Sequence, residues 1–185
     1  SRYGGRPKGL AAVGGERILD RLVRVMTSAF GRAPLLVAND PDAATWAPAL
    51  RVVTDLRPGL GALGGLYTAV TLAPAPVVCV AWDMPFVSEP ILLALAEGLD
   101  EADVCLPASD GRRGVEPLCA AYGPACRAAM EQALDAGDLR AIGFHRGVRV
   151  RIIPVDEVRR LADPAELFFN ANPADELAAA EGMWR

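Results

Sequence analysis

VVCVAWDMPF, residues 77–86, decides the reading of this chain. Apolar residues run straight into a carboxylate, Asp83, and Pro85 follows two places later. An unpaired buried carboxylate is expensive, so Asp83 must reach water or have a partner. In open α/β sheets ligands sit beyond the carboxyl ends of the strands, which places Asp83 past the end of a central strand, at the mouth of a cleft. Taken alone, a D-x-P step reads equally as a turn before Pro85 or as a cap for a helix starting near Ser88.

Outward from this strand, apolar strands and amphipathic helices alternate. Residues 18–30 have helical spacing, with Ile18, Leu22, Val25 and Ala29 on one face. Short strands are expected at 35–38 and 51–54, a helix at 63–72, and a helix from an N-cap at Ser88 through Glu97. A strand at 103–107, a turn at 111–114, a helix at 124–136, a strand at 148–155 and a last helix at 173–181 complete the pattern. Such alternation implies crossover connections and a three-layer α/β fold with a mostly parallel central sheet.

The 185 residues, 52% hydrophobic and 23% charged, fit one globular domain spanning 1–185. A net charge of −4 leaves no basic surplus for nucleic-acid phosphates. No apolar run reaches the ~18 residues of a membrane span, and nothing at the start resembles a signal peptide. A cytoplasmic location is expected. Cys79, Cys105, Cys119 and Cys126 lack metal-ligand spacing and are expected to be reduced, buried thiols. Of the 19 basic residues 18 are arginine, and Lys8 is the one lysine. A compact ammonium fits sites that a wide guanidinium fork does not.

Three further stretches carry chemistry. Near the start, Gly4 and Gly5 lie between Arg2 and Lys8. Glycines let main-chain N–H groups approach an anion, and the flanking cations supply charge, as in a phosphate cradle. The loop is neither a Walker A motif nor a GxGxxG fingerprint, and by itself it also reads as a solvated terminus. The second stretch, TDLRPGLGALGGLYTAV (54–70), is a glycine-rich loop headed by Asp55. Main-chain groups of 59–64 could read the edge of a planar base, or the glycines could simply allow tight packing. In the third, FFNANPADEL (168–177), Asn170 and Asn172 alternate so that both carboxamides face one way, before Pro173 opens a helix. They could bond a polar heterocycle or close a turn.

The ordered set R-x-G-G-x-x-K, D-x-x-P-G-x-G-x-L-x-G, D-M-P and the closing N-x-N-P resembles the molybdenum cofactor guanylyltransferase family of nucleotidyltransferases over essentially the whole chain. VEPLCAAY (115–122) resembles the family segment before the penultimate helix. The resemblance implies a Rossmann-like nucleotidyltransferase fold and transfer of GMP from GTP to the phosphate of molybdopterin, with release of pyrophosphate. Asp83 resembles the family's magnesium-binding aspartate, Lys8 the lysine on the triphosphate, and Arg2 the arginine of the signature loop. Asp55 matches an aspartate of the nucleotide site, Gly61 and Leu63 bound the loop beside guanine, and Asn39 in VAND falls near a pocket asparagine. Asn170 and Asn172 resemble the pair facing molybdopterin. Mg²⁺, GTP and the molybdopterin cofactor are thus the expected cofactor and substrates, with other cofactor-biosynthesis proteins as possible partners. No membrane or nucleic-acid partner is expected.

Two departures stand out within the motifs: Ala62 where the family often has proline, and no threonine between Asn172 and Pro173. The family signature also opens with a buried strand and L-A-G-G, whereas this sequence begins at Ser1, inside that signature. Without that segment the central sheet would lack a strand and part of the phosphate cradle. Cytidylyl transfer, transfer to another small phosphate, and a non-catalytic nucleotide-binding role are the alternatives on the same scaffold. His145, the one histidine, lies outside every motif and is expected to be packing or surface.

Overall fold

The computed structural model describes residues 2–3, 6–109, 111, 114–169 and 182–183; residues 2, 3 and 6–8 are described as main chain alone. The N-terminal segment forms two small antiparallel pairs, β1 (Arg2–Tyr3) with β2 (Arg6–Pro7) and β3 (Ala12–Val13) with β4 (Glu16–Arg17). A 3₁₀ turn at Lys8–Leu10 lies between them. Helix α1 (Ile18–Phe30) follows, burying Ile18, Leu19, Leu22 and Val25. It stops at Gly31, which takes φ 66° and donates its N–H to Thr27 O at 2.8 Å, an end for which glycine lacks the Cβ penalty.

Strands β5 (Leu36–Val37) and β6 (Val52–Val53) form a parallel pair, with α2 (Ala43–Trp46) between them in sequence. Helix α3 (Gly61–Leu72) leads to β7 (Val77–Val80), and α4 (Glu89–Glu97) follows. Then come β8 (Val104–Pro107), β9 (Cys119–Tyr122), α5 (Cys126–Asp135), β10 (Val150–Ile153), α6 (Val155–Leu161) and α7 (Pro164–Leu167). The larger sheet has the order β10-β8-β9-β7. β10 is parallel to β8, with Val150 opposite Val104, and β9 is antiparallel to both β8 and β7. Three of its four strands therefore run one way, in keeping with the mostly parallel expectation.

Side-chain alternation along this sheet builds the three layers. Val78 and Val80 of β7, Cys105 of β8, and Cys119 and Ala121 of β9 pack with α1, α4, α6 and α7. Val77 and Cys79, Val104 and Leu106, and Ala120 and Tyr122 point the other way, toward α3, α5 and Phe144. Every residue of β8 and β9 is buried. Arg149 ties the start of β10 to the start of β8: its guanidinium grips Asp103 at 3.0 and 3.1 Å, and its main-chain N–H adds a bond of 2.9 Å. These bonds hold the Asp103 carboxyl below its ordinary range.

Three sequence expectations change here. β9, which the alternation pattern did not separate from its surroundings, is a central strand. Its Ala120 and Ala121 have weak strand preference, and only burial between two helical layers makes the segment extended. Conversely, β7 is not central among the described strands. It borders β9 on one side, and its residues are half-buried. Helix 63–72 also begins two residues early, at Gly61. The segment 173–181, expected as a helix, lies outside the described residues.

Candidate functional site

The turn after β7 holds Asp83 half-buried, above Met84 and Val87, both at 0% exposure. The apolar strand thus ends with its carboxylate at the surface and the next apolar residues in the core. Ala81 N donates to Leu118 O at 2.6 Å and Met84 N to Ala81 O at 3.3 Å, fastening the turn to the start of β9. Ser88 takes the extended N-cap conformation of α4, as the sequence implies, but its hydroxyl makes no capping bond.

The Lys8–Leu10 turn packs directly on the residue before Asp83. A Cβ placed on Gly9 would lie 2.7 Å from Trp82 Cε3 and 2.9 Å from Trp82 O, so glycine is what permits the approach. Trp82 in turn stacks on Trp46 of α2, with ring centroids 5.0 Å apart and 24° between planes. Leu10, Leu36, Ala38 and Val52 complete the same cluster. In this way residues 74 apart in sequence, Gly9 beside Lys8 and Asp83 beside Trp82, come to one end of the fold. This contact was not read from the motifs, although a glycine after the sole lysine was its available signal.

At the ends of β5 and β6, Asn39 and Asp55 clasp each other. Asn39 Nδ2 donates to Asp55 Oδ2 at 2.6 Å, and Asp55 N donates to Asn39 Oδ1 at 2.8 Å. The Asp55 carboxylate lies against the first turns of α3: Cβ atoms on Gly64 and Gly65 would fall 3.9 and 3.7 Å from its oxygens. A carboxylate near a helix N-terminus is favourably placed. Gly59 and Gly61 take φ 81° and 62°, a conformation that favours glycine. The expected base-reading loop is therefore shorter than 59–64. Gly61 opens α3, and the Leu63 side chain is fully buried in the core, which leaves its main chain for a ligand. First-turn N–H groups lack intrahelical acceptors and are available for one.

Thr68, at 0% exposure, braces this loop: it accepts from Leu56 N at 2.9 Å and donates its hydroxyl to Gly64 O at 2.9 Å. We expect Thr68→Val to cost about 1–2 kcal/mol, since it unpairs the Leu56 N–H without changing side-chain volume much. Denaturant unfolding would measure the loss, and a value indistinguishable from zero would remove the brace from the account.

Among the described residues no three His, Cys, Asp or Glu side chains cluster as a metal cage. Mg²⁺ needs one or two carboxylates, completed by phosphate and water oxygens; a single surface-reaching aspartate such as Asp83 has the chemistry for that role. Burial pushes the Cys79 and Cys119 thiols up to about 12 and those of Cys105 and Cys126 to about 11. Thiols held protonated this way are poor nucleophiles. His145 packs edge-on to Phe144 at 4.8 Å, and burial lowers its pKa, as expected for a packing residue. A concavity of about 340 Å³ lined by Arg17, Val23, Ala47 and Leu50, among others, includes none of the candidate site residues. Asn170 and Asn172 lie outside the described residues; just before them, Phe169 packs edge-on to Phe86 at 6.0 Å.

Residues 1–150 match the family model of the MobA-like NTP transferase domain. The chain is 33% identical to a probable molybdenum cofactor guanylyltransferase of Pelotomaculum thermopropionicum, covering 99% of this chain and 88% of the relative. It is 30% identical to the molybdenum cofactor guanylyltransferase of Desulfosudis oleivorans, covering 97% and 88%. The crystal structure of molybdopterin-guanine dinucleotide biosynthesis protein A from Archaeoglobus fulgidus superposes with a TM-score of 0.81 at 26% identity, over 98% of this chain and 92% of that one. A nucleotidyl transferase of Methanothermobacter shares the fold at TM-score 0.71 and 22% identity, over 97% and 87%. With the family model matching residues 1–150 and relatives of 30–33% identity along nearly its whole length, the chain belongs to the molybdenum cofactor guanylyltransferases of the MobA-like NTP transferase family.

Proposed function

We propose that the protein transfers GMP from GTP to the terminal phosphate of the molybdopterin cofactor, in a magnesium-dependent reaction in the cytoplasm. The acceptor phosphate oxygen bonds to the α-phosphorus of GTP as the bond from that phosphorus to the α–β bridging oxygen breaks, and pyrophosphate leaves with that oxygen. Both reactants are anions, so the protein must neutralise and align them; a protein nucleophile is unnecessary. The observation that carries the reading is the packing of Gly9 on Trp82, which sets the turn bearing Lys8 against the turn bearing Asp83.

In this reading Asp83 holds Mg²⁺, which when bound supplies positive charge to the phosphates. Lys8 and Arg2 offset the charge of the leaving pyrophosphate. The Asn39–Asp55 clasp and the first turn of α3, at Gly61 and Leu63, receive the guanosine. Asn170 and Asn172 receive the pterin part of the acceptor, on the chain that continues from the Phe169–Phe86 contact.

Calorimetry with GTP and CTP, each with and without Mg²⁺, tests the proposal. Magnesium-dependent preference for GTP is expected. Preference for CTP would transfer the reading to cytidylyl transfer, and binding of neither nucleotide, with or without molybdopterin, would end it.

A further inference from the structure

Three arginines project from the first two turns of α1 or its border. Arg17 pairs with Asp20 at 2.6 Å and Arg24 with Glu16 at 2.8 Å, both close in sequence. Arg21 behaves differently. Its Nε donates to the main-chain oxygen of Pro85 at 2.5 Å, across 64 residues. Pro85 is buried and has no N–H of its own, so its carbonyl is the one main-chain group through which it can be hydrogen-bonded. On the other side the turn is held through Ala81 N and Leu118 O. Asp83 therefore sits between two held main-chain groups, Ala81 N on Leu118 O just before β9 and Pro85 O on the Arg21 side chain of α1.

The same helix also holds the N-terminal loop. Ile18 N donates to Ala11 O at 3.0 Å, three residues after Lys8 and three before Arg21. One turn of α1 thus links the loop bearing Lys8 to the turn bearing Asp83. Burial pushes the pKa of the Arg21 guanidinium down, with Arg24 adding to the effect and Glu16 opposing it. A partly desolvated cation bonded to a carbonyl is a costlier donor than a neutral side chain, and it makes a stronger bond.

We infer that Arg21 is a positioning residue of the transfer reaction: through Pro85 O it sets the place of Asp83 relative to the Lys8–Leu10 turn. The inference rests on the proposed role of Asp83, and its experiment separates the two. Arg21→Met keeps the aliphatic stem and removes the donors; Arg21→Lys restores a charged donor. Because Trp82 adjoins Asp83 and stacks on Trp46, the exciton-coupled circular dichroism of this tryptophan pair reports on the turn without any ligand.

In Arg21→Met the couplet should weaken, and the Mg²⁺ concentration for half-maximal GTP binding should rise about tenfold, while metal-free GTP affinity stays near wild type. Arg21→Lys should recover most of both at an equal thermal midpoint. If Arg21→Met fails to fold, Arg21→Gln, with a neutral donor, is expected to fall between Lys and wild type on one side and full loss on the other. A wild-type couplet and magnesium midpoint in Arg21→Met would overturn the inference, as would equal impairment in Arg21→Lys. If the wild-type protein shows no magnesium-dependent GTP binding, the proposed function fails, and the couplet alone decides whether Arg21 positions the turn.

Discussion

Asp83→Ala is expected to lower GMP transfer by at least about 10³-fold while leaving the fold intact. The magnitude follows from the proposed mechanism, in which Asp83 acts where transition-state charge develops and no protein nucleophile takes part. The fold survives because the aspartate contributes little packing: the residues that fill the core beneath the turn are Met84 and Val87, both fully buried. Asp83→Asn serves as the isosteric control, keeping volume and polarity but not charge. Steady-state turnover at saturating GTP, with thermal unfolding alongside, is the measurement. Turnover within tenfold of wild type in both variants would exclude the metal role. A parallel collapse of the thermal midpoint in Asn and Ala variants alike would instead make Asp83 a structural residue.

Lys8→Ala should weaken GTP binding by about 10–100-fold, equivalent to ~1.5–3 kcal/mol for a charged hydrogen bond, and leave guanosine binding unchanged. The distinction follows from the proposed role of Lys8, in which its ammonium meets the triphosphate and not the base. Lys8→Arg should rescue poorly, since a planar fork does not occupy the place of a compact ammonium. The main chain at this point is tightly constrained by Gly9 against Trp82, so the substituted side chain cannot be accommodated by shifting the turn. Calorimetry with GTP, GMP and guanosine would separate these contributions. Equal losses for all three ligands would point to a disturbed loop, and unchanged GTP affinity would remove Lys8 from the cradle.

Much of the fold was legible locally. The face formed by Ile18, Leu22 and Val25 announces α1 at its observed bounds, Ile18–Phe30. The run ending at Asp83 announces β7 and the turn after it, because an apolar strand followed by a carboxylate and a proline has few other solutions. The candidate site residues Lys8, Asp55 and Asp83 were named one by one, each from its own motif. What joins those residues was not legible. The Asn39–Asp55 clasp, the Thr68 brace on Leu56, the Gly9–Trp82 contact and the Arg21–Pro85 bond all link separate elements.

From sequence alone came α1, the strand before Asp83, the α/β class and the family, since these rest on periodicities and motifs that neighbouring residues carry among themselves. Tertiary structure alone decided that Cys119–Tyr122 becomes a buried central strand, that β7 borders the larger sheet, and that the Lys8 turn meets the Asp83 turn. The physical reason is the same in each case: alanine-rich strands, sheet order and loop-to-loop contacts gain their free energy from burial against distant residues, which no local pattern records.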